Sequence, residues 1–423
     1  MHISEVTCCF CGALCDDLEV EIENNRIVDV KNACKLGRTK FFNIQKNRLK
    51  KPKINDKEVE YEEAIKKVSE MLIHAKKPLI YGFSSTSCEA QKVGVALAEK
   101  VKGVIDCTSS FCHGPSIIAM QEVGYPSLTL GEVKNRADLV IYWGSNPLTS
   151  HPMHLRRYSV FSEGKFRRGR KDRELIVVDV RRTETSKLAD MFIQVKPNSD
   201  FMILNALRTL LNYGEINKEK IGGVSINILK ELIEKMKTCE FGILFFGLGL
   251  TMSFGKHRNV CEAISLVRDL NRHTKFSIMT MRGQYNVTGF NEVLTWQTGF
   301  PFAVDFTRGY PWYNPGETDA NSLLQHEDVD AILVVASDPV AHFPKASLKY
   351  FMKLPIAIIT PFENLTSKIS DIVIPSSVAG IEEAGSAYRM DSVPLRLKKI
   401  VDPPDGILSD AEILKRILQL CST

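Results

Sequence analysis

“DLVIYWGSNP” (138–147) is an Asp, five apolar residues of strand type, and a turn of Gly, Ser, Asn and Pro. Its pattern returns at “DAILVVASDP” (330–339). A second pair follows in the same order. “IVVDVRRTETSKLADMFIQV” (176–195) matches “AIITPFENLTSKISDIVIP” (357–375), with T-S-K-x-x-D-x-x-I in both. Two matches in register and in sequence mark two related units in one chain. Short continuous apolar runs suit strands buried on both faces, hence parallel sheets covered by helices. The duplication serves either folding alone or two related ligand sites. In open α/β sheets ligands lie beyond the carboxyl ends of strands, where both Ser-Asn/Asp-Pro turns fall.

Working outward, the same alternation fills the chain. Residues 60–77 carry apolar residues at helical spacing, and “PLIYGFSS” (78–85) is a strand. A helix at 89–102 and a strand at 103–107 lead to “TSSFCHGPS”. Strands at 138–144, 174–180, 241–247, 276–281, 330–336, 356–360 and 371–375 alternate with helices near 200–212 and 257–271. “KNRLKKPKIN” (46–55), basic and Pro-containing, reads as a linker.

Ahead of it stand Cys8, Cys11, Cys15 and Cys34. Four thiols at this spacing suit an iron–sulfur cluster or zinc. “DDLEVEIENNRIVDVKN” (16–32) alternates apolar and polar residues around Asn24-Asn25, a β-hairpin that returns Cys34 to the other three. Cys9 is left over. Eleven cysteines and an N-terminus with no basic-then-apolar leader point to a reducing compartment, the cytoplasm. No apolar run is long enough to span a membrane. A net charge of +5 over 423 residues requires no nucleic acid, and no aromatic-basic platform for one is present.

Other stretches carry chemistry. Cys112 follows a strand in “SSFCHGPSI”, beside His113, which places a thiol and an imidazole at a strand end. Taken alone, a cysteine in this setting is more often a buried loop cysteine. “DVRRTET” (179–185) offers Asp179, Arg181, Arg182 and Thr183, able to grip a ribose, a base edge and phosphate oxygens, or to form a mixed-charge surface loop. “GLGLTMSFG” (247–255) is a weak phosphate-binding turn. Arg282 and Asn286 leave a strand in a glycine-bounded loop, where a fixed guanidinium makes a carboxylate clamp. The basic stretch 160–174 is a solvated loop or a partner contact. No H-E-x-x-H or G-x-S-x-G supports proteolysis or serine hydrolysis.

“CCFCGALCDD”, “FCHGPSIIAMQEVG”, “WGSNPLTSHP”, “VVDVRRTETSKLAD”, “RGQYNVTGFNEV” and “EEAGSAYRMDSVPLRL” together resemble the molybdopterin-dependent oxidoreductases, which include the formate dehydrogenases. The resemblance covers nearly the whole chain and is closer still to the metal-containing subunits of archaeal formylmethanofuran dehydrogenases. It implies the α/β fold of domains 1–3 of formate dehydrogenase and dimethyl sulfoxide reductase, without their C-terminal β-barrel. The expected divisions are an iron–sulfur domain at 1–53, one Rossmann-like domain at 54–130 with 275–423, and another at 131–274. It also implies a [4Fe–4S] cluster on Cys8, Cys11, Cys15 and Cys34, and tungsten or molybdenum on Cys112 between two molybdopterin guanine dinucleotides. His113 shuttles protons and Arg282 orients the carboxylate in that scheme. The dinucleotides would contact Lys35, Gly144, Ser145, Asn146, Pro147, Asp179, Arg181, Arg182, Thr183, Gly247, Gly249, Gly283, Asn286, Ser337 and Asp338. The implied activity reduces carbon dioxide to formate, the first step of methanogenesis from carbon dioxide. Implied partners are an amidohydrolase-like subunit, a small dinucleotide-binding β-barrel subunit and ferredoxin-like subunits. Two other readings remain: a formate dehydrogenase catalytic chain, and a non-catalytic scaffold of a formyltransferase/hydrolase complex.

Overall fold

The protein is described by a computed structural model over residues 1–422. Its principal strands, in chain order, are β1 (His2–Val6), β2 (Leu18–Glu23), β3 (Arg26–Lys31), β4 (Pro78–Gly82), β5 (Val104–Cys107), β6 (Leu139–Trp143), β7 (Glu174–Asp179), β8 (Met191–Gln194), β9 (Phe241–Phe246), β10 (Lys275–Thr280), β11 (Ala331–Val335), β12 (Ile356–Thr360), β13 (Ile372–Pro375), β14 (Gly385–Tyr388) and β15 (Pro394–Leu397). The apolar runs read from the sequence form strands within one to three residues of their expected bounds, while β8, β14 and β15 were not read as strands. β2 and β3 pair antiparallel across Asn24 and Asn25, both at positive φ, as an Asn-Asn hairpin turn requires. β1 adds to β2 and was not signalled by the sequence.

Two compact units divide the chain. One comprises residues 1–111 with 284 onward, the other residues 112–283. The expected boundaries at 130/131 and 274/275 are therefore displaced. β10 pairs in parallel with β9, and helix Gly114–Val123 lies against helix His257–Leu270, so both segments belong to the second unit. The cysteine segment groups with the first unit rather than standing apart.

The second unit is a five-stranded parallel sheet in the order β8-β7-β6-β9-β10. The first holds five parallel strands in the order β5-β4-β11-β12-β13, extended at each edge by short antiparallel pairs. Placed strand on strand, β6-β7-β8 correspond to β11-β12-β13, and β9-β10 to β4-β5. The repeat is thus a permutation: the pair that comes last in one unit comes first in the other.

Hydrogen bonds confirm the correspondence. Asp138 accepts from the backbone N–H groups of Glu240 and Phe241 at 2.9 and 2.8 Å, and Asp330 from those of Lys76 and Lys77 at 2.7 and 2.9 Å. Each aspartate ties the start of its own strand to the start of a neighbour. Asp190 and Asp371 of the T-S-K-x-x-D stretches accept likewise from Leu175 N and Ile356 N, at 2.7 and 2.8 Å. Among the described residues no helix is long and apolar enough to cross a membrane.

Residues 46–55 are not a free linker. Arg48 pairs with Glu382 at 2.7 Å, and both side chains are only 3% exposed. The guanidinium also donates to the carbonyls of Pro361 and Ser376 and stacks over Phe362. Losing one partner strands a buried charge. Arg48→Ala is expected to lower unfolding free energy by about 3–5 kcal/mol, with most of it regained in Arg48→Met/Glu382→Leu, read by chemical denaturation of the full chain.

In the same unit Thr86 Oγ1 donates to Asp410 at 2.5 Å and Ser377 Oγ to Glu383 at 2.7 Å. Burial pushes both carboxyls above the ordinary carboxylate range, and the negative charge of Asp410 raises Glu383 further. The folded state therefore holds protons that the unfolded chain has released. Stability falls as pH rises from the carboxylate range toward neutrality. Thermal unfolding followed between about pH 5 and 8 should show a shallower decline in Glu383→Gln than in the wild type.

Candidate metal and cofactor centre

In the first unit, Cys8 N donates to Cys15 O at 2.7 Å and Leu14 N to Cys11 O at 3.0 Å, folding Cys8–Cys15 into a tight loop. Cys34 caps helix Lys35–Phe42, its sulfur accepting from Gly37 N at 3.2 Å. A Cβ built on Gly37 would lie 3.5 Å from Cys8 Sγ and 3.7 Å from Cys34 Sγ, so the two sulfurs flank one glycine. The hairpin does return Cys34 to the loop. Burial and then the neighbouring thiols Cys9, Cys15 and Cys11 push Cys8 well up, and burial raises Cys11, with Cys34 adding to it. Four buried or half-buried thiols that repel one another as anions are a donor set suited to an iron–sulfur cation cluster. No three of the described His, Cys, Asp and Glu side chains close on a single metal ion. Cys9 is buried, its thiol pushed up to about 12. Lys35, the first residue of the helix, is exposed.

Cys112 lies between the 3₁₀ turn Thr108–Phe111 and helix Gly114–Val123, whose N-cap is His113. The positive end of that helix favours a thiolate just ahead of it. Thr251 Oγ1 donates to the Cys112 carbonyl at 3.0 Å, tying that residue to the segment after β9. The 3₁₀ turn starts from Asp106 at the end of β5. This buried carboxylate accepts from Cys107 N at 2.8 Å, Ser110 Oγ at 2.6 Å, Ala303 N at 3.1 Å and Ala320 N at 2.8 Å. Burial pushes its pKa up to about 7. Sequence reasoning missed Asp106; its one signal is an acid inside an apolar strand.

His113 is 1% exposed. Its Nε2 lies 3.2 Å from the Met281 carbonyl and its Nδ1 3.0 Å from Ser116 Oγ. A carbonyl only accepts, so Nε2 carries the hydrogen and Nδ1 accepts from the serine. Burial, then the Arg282 charge, lowers the ring to about 3, so it is neutral. Arg282 is buried on the segment leaving β10. The second unit thus carries Cys112, His113 and Arg282 together.

The remaining predicted residues divide. Asn146 Oδ1 accepts from Thr185 N at 3.1 Å and Thr185 Oγ1 at 2.7 Å, while Thr185 Oγ1 accepts from Leu148 N. Asp338 Oδ1 accepts from Thr366 N at 3.0 Å and Thr366 Oγ1 at 2.6 Å, and Thr366 Oγ1 accepts from Val340 N. The backbone at Asn146 (φ −122°, ψ 73°) and Asp338 (φ −128°, ψ 75°) agrees as closely. These side chains lock the two T-S-K loops to the two turns. Thr183 is buried and exchanges hydrogen bonds with Ser186. Beyond that lock Asp179, Arg181 and Arg182 stand at the end of β7, both arginines exposed, with Arg182 over the Phe192 ring. They remain available to a ligand. Ser145 and Pro147 are buried in the turn itself, and Ser337 Oγ is buried without a partner.

Gly144, at positive φ, meets Gly249 backbone to backbone: a Cβ on Gly249 would lie 2.6 Å from Gly144 Cα. The glycines at 247 and 249 thus serve chain packing, with Gly247 N on Trp143 O and Gly249 N on Gly144 O. A Cβ on Gly283 would meet nothing, which leaves that backbone open. Asn286 departs from expectation. It is wholly buried, donates to Thr86 O at 2.8 Å and accepts from Tyr388 N at 2.9 Å, so it braces the β14–β15 hairpin. The basic stretch 160–174 is likewise more built than a solvated loop. Arg173 is 4% exposed and donates to the carbonyls of Ala137, Lys134 and Ser162.

Thiols are gathered in one unit, a thiol just ahead of a helix and a buried arginine belong to the other, and each unit carries one of the paired strand-end turns. The family profile described as Molybdopterin oxidoreductase matches residues 48–420, and the chain belongs to that family. It is 52% identical over 99% of its length to the B-type subunit of tungsten-containing formylmethanofuran dehydrogenase 2 from Methanocaldococcus jannaschii, covering 98% of that protein. It is 50% identical over 98% of its length to the protein of the same name in Methanococcus maripaludis, covering 97% of it. Among solved structures, a chain of the formyltransferase/hydrolase complex from Methylorubrum extorquens with methylofuran superposes with a TM-score of 0.72 at 18% identity, over 88% of this chain and 98% of that one. That likeness concerns the fold.

Gly249→Ala should force the turn after β9 off Gly144. A loss of about 1–3 kcal/mol is expected by denaturant titration, whereas Gly283→Ala should fall within about 0.5 kcal/mol of wild type.

Proposed function

We propose that this chain is the redox-active subunit of a formylmethanofuran dehydrogenase, reducing carbon dioxide to formate. The observation that carries the reading is Cys112 at a helix N-terminus in the same unit as a buried Arg282 and a neutral His113, in a chain half identical to subunits of that name. Cys8, Cys11, Cys15 and Cys34 would hold a [4Fe–4S] cluster that serves as the electron relay. Cys112 would hold tungsten, as the relatives' names suggest, or molybdenum, with two molybdopterin guanine dinucleotides at the strand ends of the two units. When bound, this centre supplies a site where an electron pair meets the substrate carbon.

The chain's own groups do the rest. The Arg282 guanidinium binds carbon dioxide or the formate carboxylate through its oxygens, and fixes the carbon's approach. His113 relays the proton: a proton from water taken up through Ser116 reaches Nδ1 as Nε2–H is given up toward the substrate, so serine and ring both end neutral. Overall carbon dioxide takes up two electrons and one proton to give formate. The exposed pair Arg181 and Arg182, with Asp179, grips the phosphates and base of one dinucleotide. Formate then passes to an amidohydrolase-like partner, with a β-barrel subunit completing cofactor binding and ferredoxin-like subunits supplying electrons. The setting is the cytoplasm.

The anaerobically isolated complex should contain about one tungsten or molybdenum per chain by mass spectrometry; trace amounts with intact partners would overturn the reading. Cys112→Ala should abolish formate-dependent dye reduction while the iron–sulfur EPR signal persists; retained activity removes Cys112 from its role.

A further inference from the structure

His151, in “WGSNPLTSHP”, has no part in the chemistry proposed for Cys112, His113 and Arg282, yet it is 2% exposed inside the second unit. Its Nε2 lies 2.7 Å from the backbone carbonyl of Arg282. The carbonyl only accepts, so Nε2 carries the hydrogen and donates it. Nδ1 is then the acceptor, 2.8 Å from Ser150 Oγ. Burial keeps the ring below its ordinary pKa, which suits this neutral tautomer. Met281, one residue earlier, is held by His113, so two buried imidazoles donate into successive carbonyls of the segment leaving β10. Two such bonds on consecutive peptides fix the course of that segment.

The other end of the chain of contacts is the Ser-Asn-Pro turn. Helix Pro147–Ser150 grows directly from it, with Ser150 N and Thr149 N both donating to the Asn146 carbonyl at 3.1 Å. The Asn146 side chain in turn locks Thr185, two residues past the Arg181–Thr183 stretch. A continuous set of hydrogen bonds therefore runs from the loop carrying Arg181 and Arg182, through Asn146, Ser150 and His151, to the peptide of Arg282.

We infer that His151 is a positioning residue for Arg282: by fixing that residue's main chain from the strand-end turn, it sets where the guanidinium meets the carboxylate of the substrate. The inference rests on the proposed function for its substrate and on the hydrogen bonds alone for its geometry. A hydrogen bond into a backbone carbonyl leaves the guanidinium's own donors untouched, so the effect falls on orientation and not on charge.

The test uses the complete complex with three substitutions. His151→Leu removes the donor at similar volume. His151→Gln restores an N–H near the position of Nε2. Ser150→Ala leaves the ring but removes the hydroxyl that lies against Nδ1. In His151→Leu the KM for formate should rise on the order of tenfold with kcat changed much less, metal content being unchanged. His151→Gln should recover most of the loss and Ser150→Ala should fall between. Independently of activity, hydrogen–deuterium exchange in the full chain should quicken at residues 281–284 in His151→Leu and return toward wild type in His151→Gln. Wild-type KM and exchange in His151→Leu would overturn the inference, as would equal impairment in His151→Gln. If His151→Leu does not fold, Ser150→Ala and His151→Gln decide it: wild-type KM and exchange in Ser150→Ala count against the inference. A wild-type complex lacking both metal and formate turnover would overturn the functional reading instead, while the exchange measurement would still test the clamp.

Discussion

The hydrogen bonds from Thr185 to Asn146, and from Thr366 to Asp338, hold together everything built at the strand ends. A parallel sheet delivers each strand into a loop that has no partner of its own. An open loop there would expose backbone N–H groups and wander. In this protein a short polar side chain on one turn accepts two hydrogen bonds from the next loop, and that loop's threonine accepts one in return. Turn and loop become one rigid edge. That edge positions the exposed arginines beyond β7, and through the short helix after Asn146 it reaches the peptide of Arg282.

Burial of polar groups follows the same logic throughout. Asp106, Arg48, Arg173 and Asn286 are each buried or nearly so, and each spans segments distant in the chain. Removal from water raises the cost of leaving such a group unpaired, so each acts as a specific fastener where an apolar residue would allow sliding. The two histidines near Arg282 are the neutral version of this. Held uncharged by burial, they donate without adding a second cation beside the guanidinium.

The buried parallel strands and four of the longer helices were legible, because such strands leave uninterrupted apolar runs and the two halves of the repeat lie in plain alignment, whereas helices such as Ile226–Thr238 and Val287–Thr298 were not read. The hairpin at Asn24-Asn25 was legible for an equally local reason, since both turn residues need positive φ. What the sequence hid was non-local. The glycine-rich turn at 247–255 suggests a phosphate, whereas its glycines at 247 and 249 answer to the backbone of Gly144. Asn286 looks like a loop ligand until its partners at Thr86 and Tyr388 are known. Arg48 sits in a stretch with linker composition, and only Glu382, over three hundred residues away, explains it. Thr183, in a motif that suggests nucleotide contacts, is part of the lock itself. The side chains left over once such locks are assigned, Arg181 and Arg182 among them, are those open to a ligand.

The permuted order of the repeat has a consequence for how the protein comes into being. The unit at residues 112–283 is continuous and can close while the rest of the chain is still being synthesised. The other cannot. Strands β4 and β5 are made early and wait for β11–β13, and the cysteine segment waits longest. Thr7 finds its acceptor at Arg396, 389 positions on, and Gly12 accepts from Met390. Until that last hairpin emerges, Thr7 and Gly12, which flank Cys8 and Cys11, lack these partners. The cysteine segment is therefore the first part of the chain to be made and the last part of the fold to be fastened.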